Sequence, residues 1–215
     1  MSTSISLVGG NFFLCGPNRR NLGGATNPEF REALRHGPHV YHNFVTLGMG
    51  NNRFVMYTDR RTGRTSWDYS LPDHHGLKTA LQSSHDQPIF VSLGPDGYYF
   101  VRTASGRTVW NLPNDADNYV VNATDDDPVE EVWLGANGSH VAQKRSGTQN
   151  RDLRGCYGSL DQTLRYSGSA RIQALGLNLS NDRSYFLLLS DGRNQCNTTG
   201  SPFTEADFRE WSRGL

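Results

Sequence analysis

Short runs of alternating apolar and polar residues recur along the chain, and most of them end in a leucine followed by a glycine. This Leu-Gly step places leucine at positions 47, 93, 134 and 175, at intervals of 46, 41 and 41 residues, and a weaker copy places Leu7 another 40 residues upstream. Alternation with a period of two is typical of strands with one buried face. The sequence therefore predicts a single domain of about five repeated units, with approximate bounds at 1–40, 41–87, 88–128, 129–169 and 170–215 of the 215 residues.

Each unit has the pattern of three strands joined by two tight turns. The stretch FVSLGPDGYYFVRTASGRTVWNLP (90–113) contains the turns Pro95-Asp96-Gly97 and Ser105-Gly106-Arg107 between runs of apolar and aromatic residues. Gly, Asn and Asp supply the positive φ angles that tight hairpins require. The pattern predicts a three-stranded antiparallel meander, and since such a sheet is only marginally stable alone, neighbouring units must share a core.

Short helices are predicted after most of the strand triplets, because apolar residues there recur at helical spacing. The predicted helices cover 27–36, 75–84, 157–166 and 203–211, whereas NDADNYVVNATDDDP (114–128) is predicted to be a loop with at most one strand. The predicted fold class is mainly β with short helices: about five antiparallel meander repeats of about 40 residues, arranged like a β-propeller.

The stretch PIFVSLGPDGYYFVRTASGRTVWNLP (88–113) resembles blades of the tectonin type of β-propeller, in which an apolar-x-Val-Gly strand meets a Gly turn and an aromatic strand. The plan of strands followed by a terminal helix is similar to hemopexin-type blades. Several members of these families bind sugars or other proteins, so the resemblance implies a binding function.

A second resemblance supports an alternative. The segments RFVMYTDRRTGRTSWDYSLP and YYFVRTASGRTVWNLP look like the second and third strands of a WW domain, which would imply a binder of proline-rich peptides. A WW domain also has an earlier Trp about 20 residues before this one, and positions 44–48 (FVTLG) and 88–92 (PIFVS) have none.

Charge and composition exclude several classes of protein. Lys and Arg together number 21, as do Asp and Glu, so the formal net charge is zero. A nucleic-acid partner is not expected, because binding to phosphates needs a concentrated basic surface. The sequence lacks an export signal and an apolar run of about 20 residues, so no membrane partner and a cytoplasmic location are expected.

No linear motif of catalysis or cofactor binding is present. The metalloprotease, P-loop, nucleophile-elbow and dinucleotide signatures are all missing from the sequence. The three cysteines are too scattered for a zinc site or a disulfide framework. Neither a metal nor another cofactor is expected.

Aromatic residues are the first candidates for ligand binding. Trp67 and Trp110 occupy matched positions on the predicted third strands, where each could stack on a sugar or a proline-rich peptide, or pack between neighbouring units. Tyr98 and Tyr99 alternate along a strand, so one of them is expected to be buried and the other to be available for contact.

Arginines after the turn glycines are the second candidates. Arg64, Arg107 and Arg193 recur at equivalent positions and could recognise a carboxylate or phosphate with two parallel hydrogen bonds. The alternative is that each guanidinium pairs with a nearby carboxylate such as Asp59 or Asp191.

The leading hypothesis is a non-enzymatic binding module of the β-propeller type that recognises a protein or carbohydrate ligand. An alternative from another class is an enzyme whose catalytic residues converge from several units, with His42, His74 and Asp191 as candidates.

Overall fold

The computed structural model describes residues 4–9, 11–15, 22–24, 28, 39–200 and 204–212, and within these ranges it is mainly β. The strands are β1 (Ser4–Val8), β2 (Asn11–Cys15), β3 (Leu22–Gly24), β4 (Val40–Leu47), β5 (Arg53–Asp59), β6 (Thr65–Ser70), β7 (Pro88–Leu93), β8 (Tyr99–Thr103), β9 (Thr108–Asn111), β10 (Val129–Leu134), β11 (His140–Lys144), β12 (Gln149–Asp152), β13 (Ile172–Leu177), β14 (Tyr185–Leu189) and β15 (Asn194–Asn197). The helices are α1 (His75–Ser83), α2 (Asn114–Val121), α3 (Gly158–Arg165) and α4 (Glu205–Ser212).

The strands form five small antiparallel sheets, each built from three consecutive strands with the middle strand in the centre. We number them sheet 1 (β1–β3), sheet 2 (β4–β6), sheet 3 (β7–β9), sheet 4 (β10–β12) and sheet 5 (β13–β15). The turn between the first two strands of a sheet and the turn between the last two lie at opposite ends of that sheet, because antiparallel strands reverse direction at each turn. We call these the first-turn end and the second-turn end.

The Leu-Gly steps end the first strands of sheets 2, 3 and 4, where Leu47, Leu93 and Leu134 each pair with the first residue of the second strand. In sheet 5 that position belongs to Leu177, which pairs with Tyr185. The N–H of Asn178 closes the turn there, as the N–H of the glycine does in the other three sheets. The prediction of Leu175-Gly176 as the fifth step is therefore wrong by two residues. Leu175 and Leu177 share the two-residue periodicity of the strand, but only Leu175 is followed by a glycine, so the Leu-Gly pattern selects Leu175.

The first strands of the five sheets contact one another in sequence: β1 contacts β4, β4 contacts β7, β7 contacts β10, β10 contacts β13, and β13 contacts β1. The apolar core lies between neighbouring sheets. A large cluster joins sheets 2 to 5. Smaller clusters join sheet 1 to sheet 5, through Leu14 and Phe186 among others, and sheet 1 to sheet 2, through Phe13 and Val55.

Three of the four predicted helices are confirmed. α1, α3 and α4 fall within the predicted ranges 75–84, 157–166 and 203–211 to within a residue, while the predicted helix over 27–36 lies almost wholly outside the described residues. The prediction of a loop over 114–128 is wrong at its start, where α2 lies. Ala116 and Val120 are spaced four apart and buried, and Asp115 and Asp117 favour the positive end of the helix dipole.

In the described part of the chain, no helix is both long enough and apolar enough to cross a membrane.

Candidate functional site

A groove at the first-turn ends of sheets 2 and 3 gathers polar side chains from both sheets. It has a volume of about 430 Å³ and is open to solvent. Its walls come from the first turn of sheet 2, the segment between β6 and α1, and the first turn of sheet 3. We call it the Asn52–His74 groove; it is lined by Met49, Asn52, Pro72, Asp73, His74, His75, Gly94, Asp96 and Gly97.

Asn52 fixes one wall of this groove and is fully buried. Its side-chain amide donates to the Met49 carbonyl oxygen at 2.7 Å and to Asp73 Oδ2 at 2.7 Å. Its Oδ1 accepts the Asp73 N–H at 3.2 Å. A buried amide is costly unless its donors and acceptor are satisfied, so these bonds hold the Asp73 segment against the first turn of sheet 2.

His74 connects sheet 2 to sheet 3. Its buried ring places Nδ1 3.0 Å from Asn52 Oδ1 and Nε2 3.1 Å from the Tyr98 carbonyl oxygen. Burial lowers the pKa of His74, while the hydrogen bonds to the carbonyls of Tyr98 and Gly94 and the Asp73 carboxylate oppose that shift. The two ring nitrogens face oxygens of different sheets, so the ring bridges the sheets, and in its neutral form it donates to one of these two oxygens.

The rim of the groove carries the groups that are available to a ligand. Asp73, His75 and Asp96 are exposed, and Met49 supplies an apolar contact. Asp96 has a φ of 55°, which Asp tolerates better than most residues. Two carboxylates beside an apolar side chain can accept hydrogen bonds from, or form ion pairs with, a ligand that bears N–H groups.

A second groove of about 330 Å³ lies between β12 and α3. Its charged side chains largely neutralise one another. Asp161 accepts from Arg151 Nε at 2.8 Å and from Arg165 Nη2 at 2.8 Å, and Arg154 pairs with Asp152 at 3.4 Å. The charged side chains that line this groove are therefore already engaged in ion pairs with one another.

A third, much smaller cavity lies where the first strands of all five sheets meet. Its volume is about 30 Å³, which corresponds to one or two water molecules. Leucine, valine, serine and threonine side chains provide most of its lining, among them Leu7, Leu47, Ser92 and Leu177. Three serines cross-link adjacent first strands here: Ser4 Oγ accepts the Val45 N–H at 3.3 Å, Ser6 Oγ accepts the Leu47 N–H at 2.7 Å, and Ser92 Oγ accepts the Leu134 N–H at 3.3 Å.

The predicted aromatic residues lie in two separate places. Trp67 and Trp110 are half-buried on the third strands and pack against the large core cluster, and Trp110 Nε1 donates to Asp117 Oδ1 at 2.8 Å. Tyr99 is buried, with its ring 6.5 Å from the His74 ring. Tyr98 is half-buried, and its carbonyl oxygen is the one that His74 contacts. The tyrosines therefore lie next to the Asn52–His74 groove and the tryptophans do not.

Arg64, Arg107 and Arg193 are all exposed on second turns, at the opposite end of the sheets from the groove. Arg193 has the predicted carboxylate partner, since its Nε lies 2.7 Å from Asp191 Oδ2. The structure does not place these arginines in one site with the tyrosines.

The three candidates for catalysis also lie apart. His74 is at the first-turn end of sheet 2, Asp191 is in the second turn of sheet 5, and His42 lies within β4 with its ring 5.5 Å from the Phe13 ring. Among the residues that the structure describes, no group of three or more His, Cys, Asp or Glu side chains could hold a metal ion.

The sequence pattern did not identify Asn52, Asp73 or Asp96 as site residues. Asn52 lies 22 positions from His74, and no local pattern links two residues at that separation. Of the candidates identified from the sequence, His74 lies in the groove and Tyr98 and Tyr99 lie next to it. Comparison of the chain with models of known protein families, with curated proteins and with solved structures gave no match.

Proposed function

We propose that the chain is a non-enzymatic binding module of the β-propeller type, similar in plan to tectonin-type blades, and that it recognises a protein partner through the Asn52–His74 groove. In this proposal the five sheets are repeated blades around a common axis. The order in which the first strands contact one another, with β13 next to β1, supports that arrangement. Clusters of apolar side chains between sheets are what stacked blades require to bury their faces.

The observation that carries the proposal is the hydrogen-bonded wall of the groove. Asn52 and His74 are buried and held by side-chain and backbone partners from two sheets, while Asp73, Asp96 and His75 are exposed above them. A wall that is already ordered reduces the entropy lost on binding. Exposed polar groups on ordered turns are a common arrangement for recognition.

The small central cavity favours binding over the alternative of catalysis at the axis. A volume of about 30 Å³ admits water and excludes a substrate of ordinary size. His42, His74 and Asp191 lie on different elements and do not converge there.

The placement of the tryptophans favours a protein over a carbohydrate. A sugar-binding site usually offers an exposed aromatic face, but Trp67 and Trp110 pack against the core. The groove instead offers two carboxylates next to Met49, a combination that suits a basic or amide-rich peptide segment.

Affinity capture with matched variants tests the proposal. The double variant Asp96→Asn/His75→Ala removes groove contacts, and Asn keeps the tolerance for positive φ at position 96. Asp126→Asn is the control, because Asp126 is exposed in the loop before β10. A protein retained by wild type and by the control, but bound roughly tenfold more weakly by the double variant after purification, would support the groove.

Equal retention by all three proteins would refute the groove as the binding site. A glycan array probed with the same proteins separates the second ligand class. Sugar binding that is lost in Trp110→Ala and kept in Asp96→Asn would replace the protein partner with a carbohydrate.

A further inference from the structure

A surface at the opposite end of sheet 2 combines three cationic side chains with one carboxylate. The second turn of this sheet, Asp59-Arg60-Arg61-Thr62-Gly63-Arg64, joins β5 to β6, and its residues 60–64 are exposed. We call residues 59–64 the basic turn. It includes Arg64, one of the arginines identified from the sequence.

The positive charges of the basic turn are not neutralised within the described part of the chain. The Asp59 carboxylate accepts the Arg61 backbone N–H at 2.7 Å, and the Arg60 guanidinium lies over the Tyr41 ring, 5.6 Å from its centroid. In the part of the chain that the structure describes, neither the Arg61 nor the Arg64 guanidinium has an ion-pair partner.

The corresponding turns of sheets 4 and 5 differ in this respect. Arg145 Nε lies 3.3 Å from Glu130 Oε1, and Arg193 Nε lies 2.7 Å from Asp191 Oδ2. Arginines on these turns are therefore paired with carboxylates, whereas those of the basic turn keep their hydrogen-bonding capacity for a partner in solution.

The backbone of the basic turn is well held. The Asp59 N–H donates to the Arg64 carbonyl at 3.0 Å, the Gly63 N–H donates to the Asp59 carbonyl at 2.8 Å, and the Arg60 N–H donates to the His39 carbonyl at 2.7 Å. Gly63 has a φ of 68°, so it takes the left-handed conformation that the turn needs. An ordered backbone fixes the Cα positions from which the arginine side chains extend, which lowers the entropy cost of ordering them around a ligand.

We infer that the basic turn binds a phosphorylated side chain of a protein partner. This inference rests on the proposed function as a protein-binding module. Guanidinium groups match the geometry of phosphate oxygens and donate paired hydrogen bonds to them. An extended polyanion fits less well, because the chain has a net charge of zero and a nucleic acid requires a broad basic surface.

The test uses a fluorescein-labelled Gly/Ser peptide with one phosphoserine and its unphosphorylated twin, titrated by fluorescence anisotropy at low ionic strength. Wild type is expected to bind the phosphopeptide and not the twin, with inorganic phosphate as a competitor. Arg61→Ala/Arg64→Ala is expected to weaken binding by roughly tenfold or more. Arg64→Lys should also weaken phosphopeptide binding, because lysine keeps the positive charge but lacks the planar guanidinium group that donates two parallel hydrogen bonds.

Arg183→Ala is the control for the loss of an exposed arginine outside the basic turn. Arg183 is exposed in the first turn of sheet 5, and its removal is expected to leave phosphopeptide binding unchanged. Four results would overturn the inference: equal binding of the twin, an equal loss in Arg183→Ala, undiminished binding by Arg64→Lys, or tighter binding of a single-stranded oligonucleotide than of the phosphopeptide. The groove variants lie at the opposite end of the sheets, so failure here leaves the test of the proposed function intact.

Discussion

The Tyr157 hydroxyl group donates a hydrogen bond to the Asn178 carbonyl oxygen at 2.8 Å and accepts one from the Ala136 N–H at 2.9 Å. Ala136 belongs to the first turn of sheet 4, and Asn178 closes the first turn of sheet 5. One buried side chain thus connects two neighbouring sheets. Burial raises the pKa of Tyr157 to about 12, so the hydroxyl remains a donor at neutral pH. His74 makes the corresponding connection between sheets 2 and 3.

Tyr157→Phe is expected to lower the free energy of unfolding by about 2 kcal/mol, because the change leaves the buried Ala136 N–H without an acceptor and removes one of the two donors to the Asn178 carbonyl oxygen. Urea denaturation followed by circular dichroism measures this loss. Tyr166→Phe is the control, since Tyr166 is 75% exposed and its hydroxyl can bond to water. Equal stabilities of the two variants would show that the bridge does not stabilise the fold.

Gly176→Ala is expected to destabilise the protein by about 2 kcal/mol through overpacking. A Cβ at position 176 would lie 2.5 Å from Ile5 Cγ2 and 3.3 Å from the Ile5 backbone carbon. The substitution therefore tests the contact between sheet 5 and sheet 1. Gly158→Ala is the control: nothing lies within 4 Å of the new methyl, and α3 should become more stable by up to about 1 kcal/mol. Thermal denaturation compares the two.

A substitution at Ile5, the residue against which Gly176 packs, provides a second test of this contact. Ile5→Ala removes Cγ2, the atom that the new methyl meets at 2.5 Å, so the double variant Gly176→Ala/Ile5→Ala should lose less stability than the sum of the single variants. Simple additivity would mean that Gly176 and Ile5 are not in contact and would remove one support for the proposed arrangement of the sheets around a common axis.

The sequence predicts those turns and helices that depend only on residues close together in the chain. The turn at Pro95-Asp96-Gly97 and the helix over 158–165 follow from residues within a few positions of one another, and both are present. The helix at 114–121 was missed, since its adjacent valines favour a strand. The contact of Asn52 with His74 could not be predicted, because it depends on how two loops from separate elements fold over each other.

Glu131 is expected to make the stability of the protein depend on pH. Burial raises the pKa of its carboxyl group to about 7, although Arg102 and Arg171 oppose the shift. The folded state then binds more protons than the unfolded state between about pH 4.5 and pH 7, so this contribution to the free energy of unfolding falls as the pH rises through that window. The fall amounts to at most about 3 kcal/mol.

Glu131→Gln removes this titration, since glutamine resembles the protonated acid. Denaturant titrations at pH 5 and pH 8 should show a smaller loss of stability between the two values in the variant than in wild type. Asp126→Asn, at an exposed carboxylate, should leave the difference unchanged. If Glu131→Gln retained the pH dependence of wild type, the titrating group would lie elsewhere.

Proline-rich peptides provide the last prediction, which separates the proposed function from the alternative of a WW-like reader. Trp67 and Trp110 are half-buried and pack against the core, and the Trp110 N–H donates to Asp117, so each indole leaves only part of its surface for a proline ring. A proline-rich peptide at millimolar concentration should therefore leave the tryptophan fluorescence of the protein unchanged. The chain has four tryptophans, so the same titration of Trp110→Phe assigns any signal that does arise. A saturable change in wild type that disappears in this variant would favour the WW-like alternative and place the binding surface on the third strands.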